Sequence, residues 1–402
     1  MANIVFGEVQ TSIFESMSRL AIQHDAINLG QGFPVGLDSA EVLAEAQRAL
    51  RDLSQQYPPS LGLPDLRQAV AEANRRFWGI EVDWQTEVLV TSGATEALSD
   101  CFFGLFNPGD EVILFEPAYD SYGPILRRAG VVPVRMRLQP PHWTLPCQSI
   151  EAAITPRTRA ILINSPMNPI GKVFDREELS FLAGLLERYD LLAICDEVYE
   201  HLTFNEDGHI PLMSLPQARN RSLRIGSAGK TFSVTGWKVG YVTGPANLLG
   251  PVSRAHQYLT FATPPHLQAA VAYGLRLPDD YFIGLQNELR RRRDLLTDRL
   301  RDGGFEVGDC QGTYFLCLGI DNLGRGDDDV DLCRRLVTEA GVAAIPVSAF
   351  YGDRDGEPTI QGRIQQRSEC VQADGFIQRS GVEDEIGFPH IGHQVIGQAV
   401  SH

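Results

Sequence analysis

A lysine stands in a run of small and hydroxyl-bearing residues in the segment "SAGKTFSVTGWKVGY". Lys230 has Ser227 three residues before it and Lys238 eight residues after it. A neighbouring cation and partial burial both lower the pKa of an amine, and an amine with a lowered pKa is a good nucleophile toward an aldehyde. Ser227 and Lys238 could also hold a phosphate. A solvated surface charge is the alternative for Lys230, and the scarcity of charged neighbours weakens it.

Polar side chains also follow two other apolar runs. Asp196 comes directly after "LLAIC", with Tyr199 three residues further on. A buried carboxylate is costly unless it is paired, so Asp196 is either an acid that keeps a ring nitrogen protonated, beside a phenol, or the cap of a following helix. Asn164 and Asn168 frame the tight turn "NSPMNPIG". Their amides could reach a phenolate-like oxygen or could simply cap the turn.

Two further stretches point to a flat, phosphorylated ligand. Gly93, Ala94 and Thr95 follow "EVLVTS" and open a predicted helix, whose backbone N–H groups could bind an anion. A glycine there can equally serve a steric need of the turn. Tyr119 in "EPAYDSY" could stack on a heterocycle or lie in the core. Taken together, the anion site, aromatic ring, amide, acid, phenol and lysine indicate pyridoxal phosphate, whose electron sink requires a protonated ring nitrogen.

The elements that must position these residues alternate between strand and helix. Apolar runs that end in turns predict strands within 87–93, 110–119, 159–169, 191–202, 221–230 and 240–245. Helical patterns cover 94–106, 176–190 and 278–304. This order is typical of an α/β fold with a mostly parallel sheet between helices, and ligands of such sheets bind at the carboxyl ends of the strands.

Composition narrows the class of partner. The 402 residues include 35 Lys+Arg and 51 Asp+Glu, which gives a net charge of −16. Such an acidic chain argues against nucleic acid or an anionic membrane as the main partner. We see no secretion signal and no apolar window long enough to cross a bilayer. The seven dispersed cysteines fit no metal clip and are expected to be reduced, so we expect a cytoplasmic protein without a metal.

Seven motifs occur in a family order along the chain: "INLGQGFP", "QYPPSLGLPDLRQAV", "VTSGATEAL", "EPAYDSY", "NSPMNPIGKV", "CDEVYEHLTF" and "SAGKTFSVTGWKVGY". Over roughly residues 10–350 the chain resembles the class I/II aminotransferases of the aspartate aminotransferase superfamily, fold type I, and especially the kynurenine, methionine and glutamine transaminase K-like branch. The resemblance implies a seven-stranded sheet in a large three-layer domain plus a small α+β domain. We expect an N-terminal arm and part of the small domain in 1–45, the large cofactor-binding domain in 46–280 and the small domain in 281–402.

The resemblance also implies a role for each residue around the cofactor ring. Lys230 would hold pyridoxal 5′-phosphate covalently and move the proton. Asp196 would pair with the ring nitrogen, Asn168 and Tyr199 would hydrogen-bond the ring oxygen, and Tyr119 would stack on the ring.

The phosphate would lie among backbone amides, a hydroxyl and a cation: Gly93, Ala94, Thr95, Ser227 and Lys238. Tyr57 would reach the phosphate of the other subunit, which implies a symmetric homodimer. The substrate would lie against Gly32 and Asn168, with Phe14 and Phe261 as walls of an apolar side-chain pocket. Core packing is the alternative for both phenylalanines.

The resemblance breaks near the C-terminus. In this family an arginine on a late strand clamps the substrate carboxylate, because its planar fork meets a carboxylate bidentately. Arg363 stands about where that arginine belongs and Arg367 is a second candidate, with a solvated charge as the alternative for either. Residues 353–402 lack the apolar strand and amphipathic helix expected there, so their composition predicts a loop, disorder or an altered tail.

The implied reaction is a ping-pong transfer of an amino group from an apolar, aromatic or sulfur-containing L-amino acid to a 2-oxo acid. A cysteine-S-conjugate β-lyase needs the same residues and stays open, as does an N-succinyldiaminopimelate-type aminotransferase. The atypical tail leaves a third alternative, a protein that binds the cofactor but is catalytically impaired.

Overall fold

The strands and helices come from a computed structural model, which describes residues 3–7, 11–30, 32, 36–320 and 328–352, and the backbone of 368–372. The strands are β1 (Ile27–Asn28), β2 (Val88–Thr91), β3 (Glu111–Glu116), β4 (Val132–Arg137), β5 (Thr158–Asn164), β6 (Leu192–Asp196), β7 (Ser222–Ser227), β8 (Gly240–Thr243), β9 (Glu306–Val307), β10 (Phe315–Gly319), β11 (Val342–Ala343), β12 (Ile345–Pro346) and β13 (Ser368–Gln372).

The helices are α1 (Ile13–Gln23), α2 (Ala40–Asp52), α3 (Pro64–Trp78), α4 (Gly93–Leu105), α5 (Tyr122–Arg128), α6 (Cys147–Ala152), α7 (Arg176–Arg188), α8 (Ala228–Thr231), α9 (Ala246–Leu259), α10 (Pro265–Leu275), α11 (Asp279–Asp302) and α12 (Asp329–Ala340). Short 3-10 turns lie at Leu212–Ser214, Thr235–Trp237 and Val347–Phe350. None of the helices in the described part of the chain combines the length and hydropathy of a bilayer-spanning segment.

A seven-stranded sheet in the order β2-β8-β7-β6-β5-β3-β4 forms the centre of the molecule. The pairs from β7 to β4 are parallel, whereas β8 runs antiparallel to both β2 and β7. In the β7–β8 pair Ser227 lies opposite Gly240, so the chain leaves the sheet and returns to it at one edge. This sheet confirms the predicted α/β class with its mostly parallel strands.

The central strands bury both of their faces. On β3 and β5, Ile113 and Ile161 pack on one side of the sheet with the apolar face of α7. The next residue of each strand, Leu114 or Leu162, packs on the other side with α4. Successive strand residues point to opposite faces, so near-continuous apolar runs are what a sheet covered by helices on both faces requires.

A second group of elements combines the two ends of the chain. β12, β13, β10 and β9 form a four-stranded sheet in that order, and β1 pairs in parallel with β11. Met17 and Leu29 from the N-terminal part share one apolar cluster with Leu296, Val337 and Ile345. This packing agrees with a small unit built from both ends, and its boundaries near residues 45 and 280 stay a prediction.

The strand β13 corrects one sequence prediction. The composition of 353–402 predicted no strand, yet Ser368–Gln372 pairs antiparallel with β10 and with β12. A strand between two partners gains backbone hydrogen bonds on both sides, and these do not depend on its own apolar pattern. Arg363 and Arg367 lie outside the described residues.

Candidate active site

A cavity of about 430 Å³ lies at the carboxyl edge of the large sheet. Asn164, Asp196 and Ser227, the last residues of β5, β6 and β7, all line it, because neighbouring parallel strands end at one edge. The structure brings together here most of the residues singled out in the sequence: Phe14, Gly32, Gly93, Ala94, Thr95, Tyr119, Asn168, Asp196, Tyr199, Ser227, Lys230 and Lys238.

Lys230 follows β7 and projects into this cavity from the short helix α8. Its Nζ donates to the carbonyl oxygen of Gly32 at 2.9 Å and to the hydroxyl of Tyr314 at 3.1 Å. Burial lowers the pKa of Lys230 to about 8, with Asp196 opposing that shift and Lys238 adding to it. Lys230 is therefore a partly deprotonated amine held in a fixed position, rather than a solvated surface charge.

Asp196 is buried with half of its carboxylate unsatisfied. Its Oδ2 accepts a hydrogen bond from the Tyr122 hydroxyl at 2.6 Å, and its Oδ1 has no hydrogen-bond partner among the described residues. Burial raises the pKa of Asp196 to about 6, against the opposing effect of the Tyr122 hydrogen bond. Tyr119 packs edge-on against Tyr122 with ring centroids 5.6 Å apart. A cation at Oδ1 would satisfy this carboxylate.

The two asparagines of the turn do different things. Asn164 donates to the carbonyl oxygen of Asp196 at 2.9 Å and accepts from the backbone N–H of Asn168 at 2.7 Å, which is the turn-capping role. Asn168 has a buried Oδ1 without a partner in the described part of the chain, and it lines the cavity. Tyr199 lies beside it in the wall, edge-on to Tyr314 with ring centroids 5.5 Å apart. Asn168 and Tyr199 both line the cavity, where a ligand would meet their side chains.

The start of α4 closes one end of the cavity. Gly93 has φ of +78°, a conformation that glycine adopts without strain. A Cβ on Gly240 would lie 2.7 Å from the carbonyl carbon of Gly93 and 2.9 Å from the amide nitrogen of Ala94, so β8 can pass this close only with glycine at 240. Lys238 is exposed beside the same helix start. N–H groups and a cation around an open space make a site for an anion such as phosphate.

Sequence reasoning missed the ion pairs behind the site. Arg224 of β7 donates from Nε to Glu197 and from Nη2 to Glu200, and all three side chains are buried. Each glutamate directly follows a residue of the site, Asp196 or Tyr199, so the arginine holds that segment from the side away from the cavity. An arginine inside the apolar strand "SLRIG" was the available signal, since a buried cation requires partners. The contacts of Tyr122 and Tyr314 left no comparable signal in the sequence.

Two predicted residues of the described part of the chain do not line the cavity. Tyr57 is 87 % exposed and packs edge-on against Phe261, which is 39 % exposed, with ring centroids 5.6 Å apart. Neither residue lines the cavity of this chain. Arg363 falls outside the described residues.

Comparison with known proteins decides the family. The model of the family "Aminotransferase class I and II" matches residues 24–367. The chain belongs to that family. This result confirms the resemblance seen in the motifs.

Curated relatives of this aminotransferase carry several different activities in their names. It is 44% identical over 356 residues to the probable N-succinyldiaminopimelate aminotransferase DapC of Mycobacterium tuberculosis, covering 88% of this chain and 89% of that one. This chain is 40% identical over 349 residues to the methionine aminotransferase of Escherichia coli, covering 86% of this chain and 89% of that one. This chain shares 38% identity over 364 residues with kynurenine–oxoglutarate transaminase 1 of Homo sapiens, covering 83% of this chain and 86% of that one.

Solved structures show the same fold. The structure of N-succinyldiaminopimelate aminotransferase from Mycobacterium tuberculosis matches with a TM-score of 0.89 at 39% identity, covering 100% of this chain and 98% of that one. The Escherichia coli protein YbdL, identified as a methionine aminotransferase, matches with a TM-score of 0.88 at 34% identity, covering 100% and 98%. The predicted fold type I is therefore confirmed.

The aminotransferase is an enzyme that depends on pyridoxal 5′-phosphate, and its substrates are an amino acid and a 2-oxo acid. The residues present fit this cofactor. The unsatisfied Oδ1 of Asp196 suits a protonated ring nitrogen, and the start of α4 beside Lys238 suits a phosphate. A cavity of about 430 Å³ lies in the size range of cofactor pockets.

Proposed function

We propose that the enzyme moves the amino group of an apolar, aromatic or sulfur-containing L-amino acid to a 2-oxo acid in two half-reactions, with Lys230 as the proton carrier. The observation that supports these roles is that an amine with a pKa near 8 and a buried carboxylate with one unsatisfied oxygen line a single cavity. When bound, pyridoxal phosphate supplies an aldehyde that takes up the amino group and a protonated ring that draws electrons from the substrate Cα.

Lys230 is suited to take a proton from the substrate Cα and to return it. With a pKa of about 8, about a tenth of its amine is neutral at about pH 7 and about half at about pH 8, the range in which a general base works best. Gly32 and Tyr314 hold its Nζ at 2.9 and 3.1 Å, so the amine rests in one orientation between transfers. Asp196 stabilises a positive charge on the ring nitrogen through its unsatisfied oxygen.

The remaining proposed contacts fix the cofactor and the substrate. Asn168 and Tyr199 would hydrogen-bond the ring oxygen and Tyr119 would cover the ring. The amides of Gly93, Ala94 and Thr95 would hold the phosphate together with Ser227 and Lys238. The substrate carboxylate would lie beside Gly32, and Arg363 is our candidate for its clamp.

The donor class is supported by the wall of the cavity and by the relatives. Phe14 lines the cavity and packs edge-on against Phe350, with ring centroids 5.7 Å apart, which gives an apolar wall. Relatives named for methionine and kynurenine act on side chains of this character. N-succinyldiaminopimelate is a second candidate donor, because a relative with 44% identity bears that name.

We further propose a homodimer in a reducing compartment such as the cytoplasm. Tyr57 and Phe261 form an exposed aromatic pair, and pairing with a second copy would bury it. Tyr57 would then reach the phosphate of the other subunit. Six cysteines in the described part of the chain are free thiols, which suits a reducing compartment. Light scattering that gives the mass of a monomer would refute the dimer.

Borohydride trapping tests the central role with few competing sites. The sequence contains only three lysines, Lys172, Lys230 and Lys238. We expect reduction of the loaded enzyme to attach the cofactor to Lys230, and we expect Lys230→Ala to lose both the label and the cofactor absorbance. Lys172→Arg is the matched control, because Lys172 does not line the cavity and its Nζ lies 2.9 Å from Glu178 Oε1. A label on another lysine, or no label, would contradict the proposed roles.

Turnover assays separate the reaction classes. We expect methionine or kynurenine to be consumed only when a 2-oxo acid is present. Pyruvate release from a cysteine conjugate without an acceptor would favour the β-lyase instead. If amino acids neither shift the cofactor spectrum nor turn over, the protein binds its cofactor but is catalytically impaired. An unchanged KM in Arg363→Leu would remove that residue from the carboxylate site.

A further inference from the structure

A buried cluster lies behind the phosphate end of the cavity, and none of the roles above uses it. His256 of α9 is fully buried against Glu96 and Asp100, which lie one turn apart on α4. Its Nδ1 is 2.9 Å from Glu96 Oε1 and 3.6 Å from Asp100 Oδ2. Its Nε2 is 2.9 Å from the backbone carbonyl oxygen of Ser60.

The geometry gives His256 a positive charge. A carboxylate oxygen and a carbonyl oxygen only accept hydrogen bonds, so both ring nitrogens must donate, and only the imidazolium has two N–H groups. Burial alone would lower the pKa of His256, but the carboxylates of Asp100 and Glu96 outweigh it and raise the pKa to about 10. Glu96 keeps its negative charge: burial would raise its pKa, and hydrogen bonds from His256, Thr260 and Ser92 lower it below the usual value.

Asp100 is a second buried acid beside the imidazole ring. Both of its carboxylate oxygens are buried and have no hydrogen-bond partner among the described residues. Burial raises its pKa to about 7, although His256 opposes the shift. While Asp100 is ionised, losing the imidazolium would leave two carboxylates one helical turn apart without the cation that the described residues place against both of them.

The cluster connects two parts of the proposed phosphate site. Glu96 Oε2 accepts a hydrogen bond from the backbone N–H of Ser92, the residue just before the amides at the start of α4. Through Ser60 the same imidazolium contacts the 57–63 loop, which carries Tyr57. The far end of that loop is held by Gln268, whose Oε1 accepts from the backbone N–H of Leu63 at 2.7 Å.

We propose that His256 is a positioning residue of the cofactor site: as a buried imidazolium it holds the start of α4 and the 57–63 loop in a fixed relative arrangement. The proposal rests on the placement of the cofactor phosphate given above. His256, Glu96 and Asp100 also offer one potential metal ligand each, with these atoms within 4.8 Å of one another. An N–H proton occupies the direction from Nδ1 to Glu96, so the imidazolium fills the place that an ion would need.

Two substitutions divide the contacts of the ring. In His256→Asn the amide nitrogen falls near the position of Nδ1, which keeps a donor to Glu96 and loses Ser60. In His256→Gln the amide nitrogen falls near Nε2, which keeps Ser60 and loses Glu96. Each apoenzyme is titrated with pyridoxal 5′-phosphate and with pyridoxal, and amide hydrogen exchange is followed at 60–63 and at 92–96. His24→Gln, a change at an exposed histidine, is the control.

We expect His256→Gln to lower the affinity for pyridoxal 5′-phosphate by about tenfold or more, the effect of one lost charge-assisted hydrogen bond, while the affinity for pyridoxal stays unchanged. Exchange at 92–96 should become faster. In His256→Asn the fall in affinity should be smaller, and exchange should become faster at 60–63 instead. The control should match the wild type in every measurement.

Other results overturn the proposal. A lower melting temperature with an unchanged ratio of the two affinities would show that His256 only stabilises the fold. Stoichiometric metal in the purified protein, lost in His256→Gln, would show that the cluster holds an ion. If neither variant folds, Glu96→Gln gives the same ratio test with the carboxylate charge removed. A wild type that binds pyridoxal as tightly as pyridoxal 5′-phosphate would refute the placement of the phosphate itself.

Discussion

Replacing Asp196 with asparagine should stabilise the protein without its cofactor, even though Asp196 is central to the proposed mechanism. Asparagine keeps an acceptor for the Tyr122 hydroxyl, which donates to Oδ2 at 2.6 Å, and removes the buried charge. Burial raises the pKa of Asp196 from 3.8 to about 6. A carboxyl group with a raised pKa binds its proton more tightly in the folded state than in the unfolded state. The stability that protonated Asp196 contributes is therefore fully present below pH 3.8 and is lost as the pH rises to about 6.

The size of the effect follows from that shift. A difference of about 2 pKa units, at about 1.4 kcal/mol per unit, costs the cofactor-free wild type about 3 kcal/mol above pH 6. The introduced amide would mimic the neutral acid at every pH. We therefore expect Asp196→Asn to melt roughly 3–6 °C above the wild type at about pH 8, with the gap closing toward pH 4.

Thermal unfolding followed by circular dichroism between about pH 4 and 8, with and without pyridoxal 5′-phosphate, measures this gap. With the cofactor bound, the ring cation pairs with the carboxylate of Asp196, so the wild type should become the more stable protein. Asp298→Asn, at an exposed acid, is the control and should show no gap. A cofactor-free Asp196→Asn that melts below the wild type at pH 8, or a gap that does not change with pH, would refute the reasoning.

Three further substitutions test the supports of the site. Arg224→Leu removes the guanidinium that pairs with two buried glutamates, Glu197 and Glu200, and should lower the free energy of unfolding by about 3–5 kcal/mol, as measured in urea. Gly240→Ala would push a methyl group into the start of α4 and should weaken cofactor binding, whereas Gly284→Ala, which meets no atom within 4 Å, should not. Tyr314→Phe removes an acceptor 3.1 Å from the amine of Lys230 and should lower its pKa further below 8, which the pH dependence of amine modification in the apoenzyme would show.

The sequence predicted the central sheet and most of the cavity because those features are local. Strands such as β5 and β6 are short apolar runs that end in polar residues, and parallel strands bring Asn164 and Asp196 to one edge. Lys230 was recognisable from its small neighbours alone.

Other features depend on contacts between distant segments. Tyr122 serves Asp196 across 74 positions, and Tyr314 meets Lys230 across 84, so neither pairing leaves a trace in the local sequence. β13 is a strand because two neighbours pair with it, which its composition does not reveal.

The reversed direction of β8 has a consequence for exchange of parts between relatives. Residues 228–239 leave the sheet after Ser227 and return at Gly240, its direct neighbour across the ladder. The segment therefore begins and ends at one register position of two neighbouring strands, and it carries both lysines of the site. These twelve residues could therefore be replaced as one segment by the corresponding residues of another family member, with the strands on either side kept in place.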